Sequence, residues 1–305
     1  MRRLCLLLTA GACLLAGCGT AGPGAQPATT HARTGIVVTV VSPSTARPAV
    51  PTPLPTTHLP PPGLTTTTGA PAPAPTTARR APPPSVRGLL VVLDPGHNGG
   101  NASHAAEIDR LVPAGFGQSK ACNTTGTDTN AGYPEHAFTF DVALRVRAIL
   151  VAHGVRVIMT RTDDSGVGPC VNVRAAIEST PGVRAAVAIH ADGAPSAGHG
   201  FHVCYASRRP EGASTATMAG SLSLSTAVHD SLTAGSGLVP STYIGANGYF
   251  PRSDLAGLNL STVPTTFLEL GNMRNASDAA LQSSAAGRAR IALAIATGIL
   301  AYLAR

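Results

Sequence analysis

The sequence predicts a single α/β domain built on a twisted, mostly parallel sheet flanked by helices. Two observations carry this. Short apolar runs at 89–93, 155–161, 183–190 and 263–270 read as buried strands, and segments with helical periodicity separate them. Three of the runs also deliver a chemically useful side chain at their ends: His97 just past the first, His190 closing the third and Glu269 near the end of the fourth. Ligands of open α/β sheets collect outside the carboxyl ends of the strands, so separate strands can bring such residues to one place.

The first strand runs into Asp94-Pro95-Gly96, a turn signal that leaves His97 on the following loop. Residues 98–134 read as one long loop, of a length that marks functional loops. A helix starts at Pro134-Glu135 and runs to about Ala152, closing at His153-Gly154, with Phe138, Val142, Leu144, Val146, Ile149 and Leu150 as its apolar face. Residues 155–161 form the second strand, 162–170 a turn-rich loop ending at Cys170, 171–180 a short helix, and 183–190 a further strand. Beyond these come a strand at 200–206, a helix across 215–234, a loop with an Asn247-Gly248 turn, and the strand at 263–270. The last helix, from 277 to about 303, has an apolar end too short, and too closely preceded by Arg288 and Arg290, to span a membrane; it is expected to pack into the core.

The amino-terminal part differs in composition. Residues 1–87 hold seven Arg and no Asp or Glu, which accounts for the whole formal charge of +7; residues 88–305 carry 15 basic and 15 acidic side chains. Charge held off the folded domain is not the footprint of a nucleic-acid binder, so nucleic acid is excluded as a partner. Residues 1–17, with Arg2 and Arg3 ahead of an apolar run, read as a signal peptide that carries Cys5 and Cys13 away with it. The segment closes on Leu15-Ala16-Gly17-Cys18. This resembles the lipobox of bacterial lipoproteins, and the resemblance implies lipidation of Cys18 and anchoring to a membrane by acyl burial. Residues 18–87, which hold most of the 26 prolines and Thr runs at 56–57 and 65–68, read as an extended, disordered linker. The expectation is an exported, membrane-anchored lipoprotein facing the cell wall or periplasm, and a monomer, since no heptads or repeats appear. In an oxidising compartment Cys122 and Cys170 are the expected disulfide, stapling the long loop to the loop before 171. Pairing of Cys204 with either stays open, and its strand-like setting suits a buried thiol.

Among candidate metal ligands, His97, Glu135 and His190 are the best set. Two imidazoles and a carboxylate suit zinc, and a fourth position left to water marks a catalytic site. Singly, each has a plainer reading, as a loop histidine with ordinary hydrogen bonds or a glutamate at the positive end of a helix. The order of the motifs adds more. DPGHNGG (94–100), PEH (134–136), Thr160-Arg161 with Arg174 following, IHAD (189–192) and LELGNMRN (268–275) with Asp278 and Leu281 beyond resemble the ordered signature of the zinc-dependent N-acetylmuramoyl-L-alanine amidases of the type-3 family. The resemblance covers essentially all of residues 88–305. It implies that this stretch is a catalytic domain, that His97, Glu135 and His190 hold Zn2+, and that Glu269 is the catalytic acid/base. It further implies hydrolysis of the amide between N-acetylmuramic acid and L-alanine in peptidoglycan or muramyl peptides, in wall remodelling or recycling. The chain departs from the commoner pattern where Asn272-Met273 follows Gly271, and in its cysteine-bearing first loop.

Of the neighbouring residues, Asp94 is expected to brace the turn or His97, and His136 to be structural. Arg161 and Arg174 are expected to pair with carboxylates, and Asp192, His199 and His202 to stand near His190. Arg252, Asn272 and Arg274 are candidates to face a peptide. Two other classes compete: a non-catalytic peptidoglycan-binding lipoprotein, and another zinc hydrolase acting on wall peptides. Loss of Glu269 or a ligand would signal the first, and none is lost.

Overall fold

The computed structural model describes residues 85–305; the expected signal peptide, Cys18 and the linker up to residue 84 lie outside the described residues. Six strands form one sheet. In spatial order they are β4 (Arg156–Met159), β1 (Leu90–Pro95), β5 (Val183–Asp192), β8 (Thr265–Asn272), β6 (His202–Ala206) and β7 (Tyr249–Arg252). The first four are parallel, β6 runs antiparallel to β8, and β7 is parallel to β6.

The two-residue period of a strand sorts the side chains onto two faces. Val91, Leu93, Val187, Ile189, Val203, Leu268 and Leu270 belong to the main core. Against them pack helices α2 (Glu135–Ala152), α4 (Thr215–Gly235) and α7 (Ala285–Leu303), which supply Phe138, Val142, Leu224, Val228, Ile291 and Ile295 to the same cluster. Val92 and Ala186, then Phe267 and Cys204, occupy the other face beneath α3 (Val171–Glu178) and α5 (Ala256–Leu260). Asp94, His190, Glu269 and His202 each stand an even number of residues from a member of this second set. They therefore share its face, and all four lie where the parallel strands end.

Several elements differ from the expectation. The stretch 98–134 holds a 3-10 turn (Asn101–Ser103), helix α1 (Ala105–Ile108) and a hairpin of β2 (Leu111–Gly115) and β3 (Gln118–Ala121). Its second strand, Gln-Ser-Lys-Ala, has no apolar alternation to signal it. Strand β7 and helix α5, of four and five residues, are likewise too short to show a period. Leu144, expected on the buried face of α2, is 41% exposed. The final helix is two, α6 (Ala276–Ser283) and α7, because Ser284 is extended and its hydroxyl accepts from the Gly287 amide to start the second. Gly287 permits this close turn, since a Cβ there would stand 2.1 Å from the Leu281 carbonyl oxygen. By length and composition α7 could cross a membrane, yet Ile291, Ile295 and Ile299 fill the core.

Cys122 and Cys170 are joined by a disulfide across 48 residues of sequence, and the Val171 amide donates to the Cys122 carbonyl at 2.8 Å. The end of the hairpin is thereby fastened to the start of α3. Cys204 is buried and free. Opening a loop of this size costs about 4 kcal/mol by the chain-entropy estimate. Replacing both Cys122 and Cys170 by Ser should therefore lower the melting temperature by about 10 °C; a calorimetric scan that matched the oxidised wild type would contradict this.

Candidate active site

Beyond β1 the chain turns at Gly96 into His97, a non-glycine residue in the left-handed region (φ 58). A conformation of this kind persists where its surroundings over-determine it. Two buried guanidinium groups do so here. Arg174 on α3 donates to the carbonyls of Pro95 (2.8 Å), His97 (2.9 Å) and Pro169 (2.9 Å) and to Asn98 Oδ1 (3.2 Å). Arg161, after β4, donates to the carbonyls of Pro95 (3.0 Å), Gly96 (3.3 Å) and His136 (2.8 Å). Each has a carboxylate partner: Asp94 for Arg174 at 2.5 Å and Asp164 for Arg161 at 2.8 Å. Asp94 thus braces the turn through Arg174. Burial pushes the Asp94 carboxyl up, but the Arg174 charge and the Thr160 hydroxyl outweigh it and hold it below its ordinary value. Burial takes Arg161 down to about 10.

Glu135, the first residue of α2, meets both histidines. Its Oε1 lies 3.0 Å from His97 Nε2 and 3.2 Å from His190 Nδ1, and the three ligand atoms fall within 4.8 Å of one another. Each side chain is oriented from behind. His97 Nδ1 donates to the Thr124 carbonyl at 3.0 Å, which fixes the ring with Nε2 turned to Glu135. Glu135 accepts from the Ala191 amide at Oε1 and from the Thr127 amide at Oε2, each at 3.0 Å. The His190 ring stacks on Phe267 with centroids 4.2 Å apart. Glycines leave the room: a Cβ on Gly96 would stand 2.1 Å from His190 Cε1, and one on Gly126 2.7 Å from Glu135 Oε2.

Charge is concentrated at this point. Burial would raise the Glu135 carboxyl, but the charge of His97 and hydrogen bonds from both imidazoles keep it well below the usual carboxylate range. At His97 burial is outweighed by Glu135 and the imidazole is raised; at His190 burial prevails and the imidazole is lowered. Two imidazole nitrogens converging on an ionised, fully supported carboxylate fit a divalent transition metal.

Glu269 is the register partner of His190 across β5 and β8, and it lines the same cleft, of about 410 Å³, together with Lys120, Asp192 and Leu255. Its Oε2 is buried with no hydrogen-bond partner among the described residues. Burial first, then the charges of Glu135 and Asp192, push this carboxyl well above its ordinary value. A carboxyl so placed suits a group that takes up and returns a proton.

The other candidates sort by their partners. His136 pairs with Asp164 at 2.8 Å, and Asp192 accepts from the Tyr243 hydroxyl at 3.1 Å. The His199 amide donates to Thr242 Oγ1 at 3.1 Å. Asn272 is fully buried rather than turned to a peptide: its Nδ2 donates to the carbonyls of Pro195 and Gly198, and its amide to Asp278 Oδ2. Arg252 and Arg274 are held by Asp254 and Asp128, each at 2.6 Å. Sequence reasoning missed the supporting roles of Thr124, Thr127, Gly126 and Phe267. Backbone carbonyls and amides leave no mark in a sequence, whereas Gly96 was visible between Pro95 and His97.

A mostly parallel α/β sheet whose strand ends bring a metal-capable His–Glu–His set beside a buried, unpaired carboxyl has the layout of a hydrolase. Comparison with known proteins narrows the class. A family profile described as N-acetylmuramoyl-L-alanine amidase matches residues 91–301. The N-acetylmuramoyl-L-alanine amidase Rv3717 of Mycobacterium tuberculosis is 46% identical over 222 residues, covering 73% of this chain and 89% of that protein. The crystal structure of the amidase Ami1 from Mycobacterium smegmatis superposes with a TM-score of 0.67 at 48% identity, covering 72% of this chain and 99% of that one. Apo Ami1 from Mycobacterium abscessus gives 0.66 at 49% identity, covering 72% and 100%. The chain belongs to the N-acetylmuramoyl-L-alanine amidase family.

Two predictions follow from the supports of the site. Gly96→Ala should displace the His190 imidazole and weaken binding of a divalent metal by about tenfold or more, read by titration against a chromophoric chelator; unchanged affinity would contradict the packing. The second concerns Asp94, whose carboxyl is depressed in the folded state, so its stabilisation is present above the unfolded value of 3.8 and is lost as pH falls through the lower folded value. Asp94→Asn should cost about 3 kcal/mol near neutral pH, and denaturant unfolding should show the deficit closing as pH drops below about 4. A deficit independent of pH would rule out an ionic origin.

Proposed function

We propose that the chain is a zinc-dependent hydrolase of the amide between the lactyl group of N-acetylmuramic acid and L-alanine in peptidoglycan or its fragments. The observation that carries this reading is the convergence of His97, Glu135 and His190 beside Glu269 in a chain of this family. His97 through Nε2, His190 through Nδ1 and Glu135 would hold the ion. When bound, zinc supplies Lewis acidity that polarises the scissile carbonyl and makes water a better nucleophile near neutral pH.

The chain's own groups do the rest. Glu269 takes a proton from the attacking water as oxygen adds to the carbonyl carbon, and returns it to the alanine nitrogen as the C–N bond breaks. Thr124 and the two amides on Glu135 keep the ligands oriented while this happens. The products are the lactyl carboxylate and a stem peptide with a free L-alanine amino terminus.

Family membership implies an exported protein acting at the wall. A signal peptide at residues 1–17, a lipid anchor on Cys18, a linker over 18–87 and the catalytic domain at 88–305 complete the proposal. Leu15-Ala16-Gly17-Cys18 supports the anchor.

Mass spectrometry of a zinc-loaded digest of muramyl peptide and of intact wall tests the chemistry. Stem peptide beginning at L-alanine should appear, fall by about 100-fold or more in Glu269→Gln as expected for loss of a general acid/base, and vanish on chelation. Cleavage elsewhere would indicate another wall hydrolase; zinc binding without cleavage would indicate a binding protein.

A further inference from the structure

His202 belongs to the catalytic row of the sheet. It is the Cα register partner of Glu269 across the antiparallel pair β6 and β8, as His190 is across β5 and β8. Directly opposed residues on antiparallel strands project from the same face with Cβ atoms about 5 Å apart. His190, Glu269 and His202 therefore form one line across three strands.

Two features set His202 apart from an ordinary core residue. It is 2% exposed, and its Nδ1 is buried without a hydrogen-bond partner among the described residues. Glu269 Oε2, its neighbour across the ladder, is orphaned in the same way. Leaving a buried polar atom unpaired is unfavourable, and here two lie on adjacent strands. The ring is held at its edges, by Tyr243 at 6.1 Å and Phe250 at 5.8 Å between centroids, both near-perpendicular. Burial lowers the imidazole to about 4, so it is neutral in the working range.

A neutral imidazole has one nitrogen that donates and one that accepts. A donor fixed on one carboxyl oxygen leaves the other free to take up and return a proton. We propose that His202 is a positioning residue for Glu269, its Nδ1–H donating to Glu269 Oε2 both when the carboxyl is ionised and when the proton sits on Oε1. The pairing leaves Oε1 as the oxygen that meets water and the leaving nitrogen. It rests on the reading of Glu269 as the acid/base. No bond joins the two side chains in this structure; the proposal has the pair close by rotation of the Glu269 side chain.

The test uses the zinc-loaded protein and its metal-free form. His202→Phe keeps a ring but removes the pairing; its kcat should fall by about 10- to 100-fold with KM and zinc content unchanged. His202→Asn places an amide near the Nδ1 position, able to donate or accept, and should recover most of that loss. Wild-type kcat in His202→Phe would overturn the proposal, as would His202→Asn as impaired as His202→Phe, because the cost would then be one of packing. A second readout is independent of turnover. In metal-free protein, the His202 imidazole 15N shifts should move between wild type and Glu269→Leu, and identical shifts would overturn the pairing even if His202→Phe fails to fold. Should the wild type cleave no muramyl peptide, the amidase reading falls while the 15N comparison still decides the contact.

Discussion

Carbonyl groups at the end of a buried strand need donors, and at Pro95, Gly96 and His97 these are the guanidinium groups of Arg161 and Arg174, joined at Gly96 by the Thr139 hydroxyl. Everything at the site depends on this arrangement. A guanidinium offers five N–H groups in a fixed plane and stays charged when buried, so one side chain can serve several carbonyls and a carboxylate together. Lysine could reproduce neither the number nor the plane. The price of burying two cations is offset by Asp94 and Asp164, and the result is a turn that holds His97 at a positive φ. Arg174 comes from α3 and Arg161 from the loop just past β4. His97 is therefore positioned by two elements distant from it in sequence.

The sheet supplies the remaining order. Because alternate residues of a strand face opposite sides, a single face collects Asp94, His190, Glu269 and His202 while Leu93, Ile189 and Leu268 enter the core behind them. Reversal of β6 is what brings His202 level with Glu269. In a parallel strand a residue near the carboxyl end would stand there; in the antiparallel β6 the start of the strand does, and His202 is its first residue. A row fixed by backbone ladders holds its members more firmly than loops could, which suits the positioning proposed for Glu269.

Much of this was legible in the sequence, and the reasons for the rest are physical. The buried strands ending at His97, His190 and Glu269 announce themselves as apolar runs, because strands covered on both faces need not alternate. The start of α2 at Pro134-Glu135 is written in local backbone preference. Convergence of Glu135 on the two histidines is a different matter. It depends on how α2 crosses the end of β1, and no periodicity encodes that. The hairpin at Leu111–Ala121 and helix α5 are short and polar, stabilised by contacts remote in sequence, such as Asn259 Nδ2 to the Ala114 carbonyl at 3.0 Å. The role of Asn272 was misjudged for a related reason. An asparagine on an exposed motif and one that ties loop 195–198 to Asp278 look alike until the fold is closed.

The disulfide joins fold to chemistry. On one side of it, Val171 opens α3 and carries Arg174 one turn later, the group that holds the His97 carbonyl. On the other, Cys122 leads within a few residues to Thr124, whose carbonyl orients the His97 imidazole, and to Thr127, whose amide holds Glu135. Cys122 and Cys170 pack in a small cluster of their own with Val112, apart from the core that α2, α4 and α7 build on the sheet. The main core thus does not rest on the bridge, while Arg174 and Thr124, two of the groups that hold His97, lie within four residues of it. A misplacement of about 1 Å at a reacting group can cost about 100-fold in rate, so a bond that fixes these two supports bears on catalysis more directly than on the survival of the sheet. It also ties assembly of the site to an oxidising compartment, the one that export provides.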